Sequence, residues 1–213
     1  MQIDLQNILP DFFTNESVAH SQIWNQSISF TKEEHVHIVA PSGSGKTSLI
    51  HFLYGLRKDF KGQILYNKSA IKTFDAEKFA AYRQQHISIV FQDLRLFTAH
   101  TVLQNLTVKN NLAVYHNENK ITEMARRLGI ESKLQKLCST CSYGEQQRIA
   151  IIRSLLQPFD FILLDEPFSH LDEVNRIKAM ELIAEEADNR KATIILADLK
   201  HLEYFKAERR LNL

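Results

Sequence analysis

Polar and apolar residues alternate in two stretches near the start of the chain, residues 2–8 (Gln-Ile-Asp-Leu-Gln-Asn-Ile) and 23–30 (Ile-Trp-Asn-Gln-Ser-Ile-Ser-Phe). A period of two marks strands with one buried face, so both predict an antiparallel β edge ahead of the apolar run Val36-His37-Ile38-Val39. Gly62–Tyr66 reads as a short strand and residues 86–91 as another. The runs Phe161-Ile162-Leu163-Leu164 and Thr193-Ile194-Ile195-Leu196-Ala197 are unbroken, which fits strands buried on both faces of a parallel sheet. Between them the spacing is helical: after residue 47, over 75–85 (begun by Asp75), 101–115, 118–128 with Gly129 as a stop, 143–156 and 173–187. On the last of these, Val174, Ile177, Met180, Ile183, Ala184 and Ala187 share one stripe, expected in the core. Strand signal is absent from about residue 93 to 142. The pattern therefore predicts an α/β fold: a mostly parallel sheet, an N-terminal antiparallel edge and a helical insertion. One domain spans 1–213, with its core in about 1–92 and 157–213 and a helical subdomain in about 93–156.

Composition narrows the function classes. The 213 residues carry 26 Lys+Arg against 25 Asp+Glu. Near-neutrality argues against a partner bound through nucleic-acid phosphates, so no nucleic acid is expected. No apolar run is long enough to span a bilayer, and the first ten residues already carry Asp4, so a cytosolic location is expected. Cys138 and Cys141 form a lone C-x-x-C with no second pair to complete a tetrahedral zinc site, and are read as incidental.

Candidate chemistry begins at Ala40-Pro41-Ser42-Gly43-Ser44-Gly45-Lys46-Thr47, which follows a strand and precedes the helical Ser48-Leu49-Ile50. Strand, glycine loop and helix in this order make a phosphate cradle, a P-loop over Ala40–Thr47, with Pro41 to Ser48 as the candidate nucleotide contacts. Its N–H groups and the positive helix end face the anion, Lys46 reaches the terminal phosphates, and Thr47 ligates Mg²⁺. Ala40 stands where the full pattern has its first glycine. Gln92 follows the strand 86–91 and belongs at the same sheet edge, as a Mg²⁺ ligand, as a water-positioning amide, or as an ordinary strand-ending polar residue. Asp165 and Glu166 end a buried apolar strand, where two carboxylates are costly unless used. Asp165 is suited to hold Mg²⁺ and Glu166 to orient or deprotonate an attacking water. Phe12 and Phe13, after Pro10-Asp11, offer either a stacking surface for a flat base or a plug beneath the sheet.

Residues 141–148, Cys-Ser-Tyr-Gly-Glu-Gln-Gln-Arg, then resemble the LSGGQQQR signature of ABC-type ATPases. Together with the P-loop, Gln92, Asp165-Glu166 and the segment Ser169-His170-Leu171-Asp172, the ordered set covers essentially the whole chain. The stretches Phe91–Phe97 and Thr101–Leu106 look most like the subgroup of the MacB, LolD and FtsE ATPases. The resemblance implies a P-loop NTPase core of the RecA-like kind that binds ATP with Mg²⁺ and hydrolyses it. It implies a head-to-tail homodimer, or a pairing with a second ATPase domain, in which ATP is sandwiched between one P-loop and the partner's signature. Ser142 and Gly144 would contact that ATP, with Glu145 and Asp172 on the same surface. Phe12, or alternatively Phe13, would stack on adenine, and Lys46, Gln92 and Glu166 would serve hydrolysis. A separate transmembrane permease-like subunit is implied as partner, with this chain peripheral on the cytoplasmic membrane face. Two departures stand out: Tyr143 replaces the first signature glycine, and Asp198 takes the place of a histidine expected at the γ-phosphate, with His201 three residues on. A carboxylate there repels phosphate, so slow hydrolysis is expected, and a hydrolysis-impaired binding switch is the alternative function. Glu145 in place of the signature glutamine is a milder change.

Overall fold

The computed structural model describes residues 1–14, 16–112 and 115–213. In chain order the elements are β1 (Ile3–Pro10), β2 (Ser27–Phe30), β3 (Val36–Val39), α1 (Lys46–Leu53), β4 (Phe60–Tyr66), β5 (Ser69–Ala70), α2 (Ala76–Gln85), β6 (Ile87–Val90), α3 (Val102–Asn111), α4 (Glu118–Arg127), α5 (Tyr143–Leu155), β7 (Phe161–Asp165), α6 (Glu173–Asp188), β8 (Thr193–Asp198) and β9 (Arg209–Asn212). Asp75, Asn117 and Asp172 cap α2, α4 and α6 through side-chain oxygens, and Thr101 and Ser142 open α3 and α5 with capping boxes closed by Gln104 and Glu145.

The unbroken apolar runs become neighbours in a five-stranded sheet of order β6-β7-β8-β3-β9, every pairing parallel. Alternation along those strands sends residues to two different cores. Val90, Ile162, Leu164, Ile194 and Leu196 pack toward a cluster shared with α3, α4, α5 and α6. Ile87, Ile89, Phe161, Leu163, Ile195 and Ala197 pack toward α1 and the second sheet. That second sheet is antiparallel, of order β2-β1-β4-β5. The expected antiparallel edge is thus a separate layer that also takes in β4, paired in register Ile3↔Tyr66 through Gln6↔Gln63 before a bulge.

Three details differ from the hydrophobic pattern. Of residues 23–30 only Ser27–Phe30 is strand; Ile23 and Trp24 are buried ahead of it, and Asn25 has left-handed backbone. α3 ends at Asn111, and residues 113 and 114 of the expected 101–115 helix lie outside the described residues. Val174 is 61% and Ile177 36% exposed, whereas Met180, Ile183 and Ala187 are buried. Val174 and Ile177 lie in the first turns of α6, whose buried residues begin at Ala179. β9 escaped detection because Arg209-Arg210-Leu211-Asn212 has the polar content of an exposed edge strand. No helix among the described residues is long and apolar enough to cross a membrane.

Candidate functional site

β3 delivers the chain into the loop 40–45, and α1 starts directly after Gly45 with no side-chain cap, leaving its first N–H groups to the loop's concavity. Gly45 has φ +95°, and a Cβ there would lie 3.0 Å from both Phe13 Cε2 and Trp24 Cζ2. Trp24 braces the loop, its Nε1 donating to Ser44 O at 3.2 Å, while Ser44 Oγ donates to Pro41 O at 2.8 Å. Lys46 is buried and curls back, donating from Nζ to Ala40 O and Pro41 O, both at 3.0 Å. Its third neighbour is Glu166 Oε1 at 3.3 Å.

Thr47, Gln92 and Asp165 meet beside it. Thr47 Oγ1 donates to Gln92 Oε1 at 3.2 Å, so its single proton is committed there. Asp165 is fully buried and neither of its carboxylate oxygens has a hydrogen-bond partner. Burial, reinforced by the charges of Glu166 and Asp93, pushes its pKa up to about 6 against the pull of nearby Thr47 and Lys46. Two orphaned carboxylate oxygens, a hydroxyl and an amide oxygen are hard donors that suit Mg²⁺. Among the described residues no three His, Cys, Asp or Glu gather as a metal cage. The set fits an ion that completes its shell with phosphate oxygens and water.

Phe12, Ser42, Gly43, Gly45, Lys46, Thr47, Ser48, Gln92 and Glu166 line one cleft of about 260 Å³. Phe12 is 53% exposed at its rim, while Phe13 turns inward against Trp24, ring centroids 6.2 Å apart. Of the two aromatic candidates, Phe12 faces the phosphate cleft.

Ser142, Gly144, Glu145 and Asp172 do not line that cleft. Ser142 Oγ accepts from Glu145 N at 3.3 Å, and the Glu145 carboxylate accepts from Ser142 N at 2.8 Å and pairs with Lys133 at 2.9 Å. Lys133, followed by the Ser142 N–H, holds the Glu145 pKa below the usual carboxylate range. Gly144 packs so close to the loop before α6 that a Cβ would stand 2.9 Å from His170 O. Asp172 accepts from Asn175 N at 2.8 Å. Tyr143 occupies the first helical position of α5 without left-handed backbone. Its ring meets His170 edge-on at 4.3 Å, and its hydroxyl donates to Gln92 O at 3.4 Å.

Asp198 lines a different cavity of about 530 Å³, which it shares with Glu166, Arg176, His201 and Tyr204. Burial raises its pKa, partly offset by backbone N–H groups of Leu199 and Lys200. His201 Nδ1 stands 3.4 Å from Nδ1 of the buried His37, whose pKa burial lowers to about 4. One residue of the signature plays a part its local sequence does not announce. Gln147 is buried, accepts from His170 N at 3.0 Å, and donates to Ser169 Oγ at 3.2 Å and Glu166 O at 3.4 Å. The only hint is its place four residues before Ile151 on the buried side of α5.

The sequence profile of the ABC transporter family matches residues 23–169. The chain belongs to that family. Among its relatives is the lipoprotein-releasing system ATP-binding protein LolD of Legionella pneumophila (strain Paris), 32% identical over 177 residues, covering 82% of this chain and 77% of that protein. The thiamine import ATP-binding protein ThiQ of Haemophilus influenzae is 34% identical over 173 residues, covering 80% and 78%. The dimeric structure of MJ0796, a bacterial ABC transporter cassette, superposes with TM-score 0.80 at 23% identity, covering 93% of this chain and 88% of that one. LolD belongs to the subgroup that the residues after Gln92 resemble, and the fold is that of the ABC cassette. The chain is thus an ATP-binding cassette of the ABC ATPase family.

Proposed function

We propose that this cassette binds and hydrolyses ATP as a head-to-tail dimer and thereby drives a separate membrane-embedded partner from the cytoplasmic face. The observation that carries the reading is the division of the motif residues between two surfaces. Lys46, Thr47, Gln92 and Glu166 line the phosphate cleft, with Asp165 buried beside Thr47 and Lys46, whereas Ser142, Gly144, Glu145 and Asp172 do not line it. A second copy in antiparallel orientation would bring its signature over this chain's cleft. Loop N–H groups and Lys46 then bind phosphates, Phe12 stacks on the base, and Thr47, Gln92 and Asp165 would hold Mg²⁺, which supplies charge neutralisation on the phosphates. Glu166 takes the proton of the attacking water, which requires that its contact with Lys46 open as the phosphate enters. Gln147, tied to Glu166 O and His170 N, links the signature helix to the backbone that carries Glu166.

The test is the Glu166→Gln variant in Mg²⁺ and ATP, sized by light scattering and recovered from native membranes. A dimer that forms only with nucleotide, together with a stoichiometric polytopic protein, is expected; a monomer at saturating ATP refutes the reading. A second reading, a binding switch with hydrolysis nearly lost, is favoured by Asp198 in the cavity it shares with Glu166. On that reading Asp198→His raises turnover several-fold with ATP affinity little changed, and unchanged turnover removes its basis.

A further inference from the structure

Arg57 lies in the turn between α1 and β4, outside the P-loop, the signature and the Asp165-Glu166 pair. Its guanidinium nevertheless reaches the wall of the phosphate cleft. Nε donates to Asp59 Oδ1 at 2.9 Å and Nη2 donates to Asp59 Oδ2, a fork that fixes the plane of the group. The third nitrogen, Nη1, donates to Ser48 Oγ at 3.1 Å. Cζ stands over the Phe12 ring, 5.5 Å from its centroid, and 5.6 Å from the centroid of Phe52. The same turn holds the backbone that carries Phe12, because Asp59 O accepts from Asp11 N at 3.1 Å. Phe12 and Ser48 both line the cleft, and Arg57 stands behind them.

The pair of Arg57 with Asp59, 37% and 44% exposed, contributes little by itself. It also does not require Nη1 to turn toward Ser48, which is buried. A serine hydroxyl has one proton and two lone pairs. Accepting from Arg57 leaves the Ser48 proton for a different acceptor, and among the described residues it donates to none. Ser48 sits in the first turn of α1, where that proton can serve an anion in the cleft. A guanidinium over one face of Phe12 fixes the tilt of a half-exposed ring and leaves the opposite face for a flat ligand. We propose that Arg57 is a positioning residue for the nucleotide: it sets the Phe12 ring against the base and directs the Ser48 hydroxyl to the phosphate next to the ribose. Base and phosphate are thereby recognised as one unit. The inference rests on the reading of this cleft as the ATP site with Phe12 as its base platform, and it assigns the residue that couples platform to loop.

The experiment titrates the full-length protein, by calorimetry, with Mg²⁺ and the β,γ-imido analogue of ATP. The variants are Arg57→Met, Phe12→Ala and Ser48→Ala, singly, in pairs and all together. Arg57→Met keeps the length of the side chain but removes its charge and donors, and should weaken binding about tenfold. That factor should shrink in the Phe12→Ala and Ser48→Ala backgrounds and fall below about twofold when both are changed. A substitution that merely loosened the turn would weaken binding by the same factor in every background, and that result overturns the proposal. Unchanged affinity for Arg57→Met beside a weakened Phe12→Ala overturns it too. Unchanged affinity for Phe12→Ala, or no binding by the wild type, removes the reading of the cleft itself and the proposal with it, so the two failures are distinguishable.

Discussion

Asp165→Asn should make the nucleotide-free protein more stable, and the size of the gain follows from the carboxylate's surroundings. In the folded chain burial lifts the pKa to about 6 from 3.8. A gap of about two units at about 1.4 kcal/mol each costs the fold about 3 kcal/mol once the group is ionised. Because the folded pKa is raised, the folded chain holds a proton that the unfolded chain has released between about pH 4 and 6. Stability is therefore lost as pH rises through that window, and the full cost is present above it. The amide of the variant is also left short of partners, at about 1 kcal/mol, so the net gain at pH 7.5 is about 2 kcal/mol. For a chain of this length that is roughly 4–8 °C in Tm. Melts of both proteins in EDTA at pH 7.5 and 4.5 read the difference directly. Asp198, also raised by burial, is common to both and cancels. The gain should vanish at pH 4.5, and Mg²⁺ with ATP should reverse the order at pH 7.5 by stabilising only the wild type strongly. A variant less stable than wild type at pH 7.5, or a gain independent of pH, refutes the reasoning.

Phe12→Ala should weaken ATP binding roughly tenfold, the loss of about 1–1.5 kcal/mol of stacking, while leaving Tm nearly unchanged; Phe13→Ala should do the reverse, and equilibrium binding with a fluorescent ATP analogue separates them. Gly45→Ala combines left-handed backbone with a clash against Phe13 and Trp24, so it should lower stability by about 1–2 kcal/mol in urea titration and abolish nucleotide binding. Gln147→Leu strands the His170 N–H and should cost about 1–3 kcal/mol, with turnover falling more than ATP affinity when kcat and KM are compared.

What could be read ahead of the structure was whatever lies close together in sequence. The P-loop, the Asp165-Glu166 pair and the unbroken strands are local patterns, and each occupies the expected element. The capped start of α2 was equally legible, since Asp75 acts on an N–H group three residues on; Asp172 caps α6 in the same way, although its sequence context points only to the signature surface. What failed to show depends on partners far along the chain. Trp24 bracing Ser44, twenty residues away, looks like any inward residue of an alternating strand. Gln147 gains its meaning from His170 and Ser169, brought near only by packing of α5 against α6. The exposure of Val174 and Ile177 depends on what packs over the start of α6, which helical periodicity does not encode. Phe12 and Phe13 are adjacent in sequence, and only the fold of the loop before Trp24 turns one toward the cleft and the other away.

Lys46 gives the cradle a threshold. With its ammonium held by two carbonyls and a carboxylate, an arriving anion must outcompete three oxygen atoms already in place. Orthophosphate, with one centre to offer, exchanges like for like and gains little. On the proposed reading a nucleoside triphosphate would engage the loop N–H groups and the lysine through its phosphates and the Phe12 ring through its base, and that combined engagement would make displacing Glu166 favourable. On that reading the cleft would select against small anions by competition from within, and the same three oxygens would reclaim the ammonium when product departs.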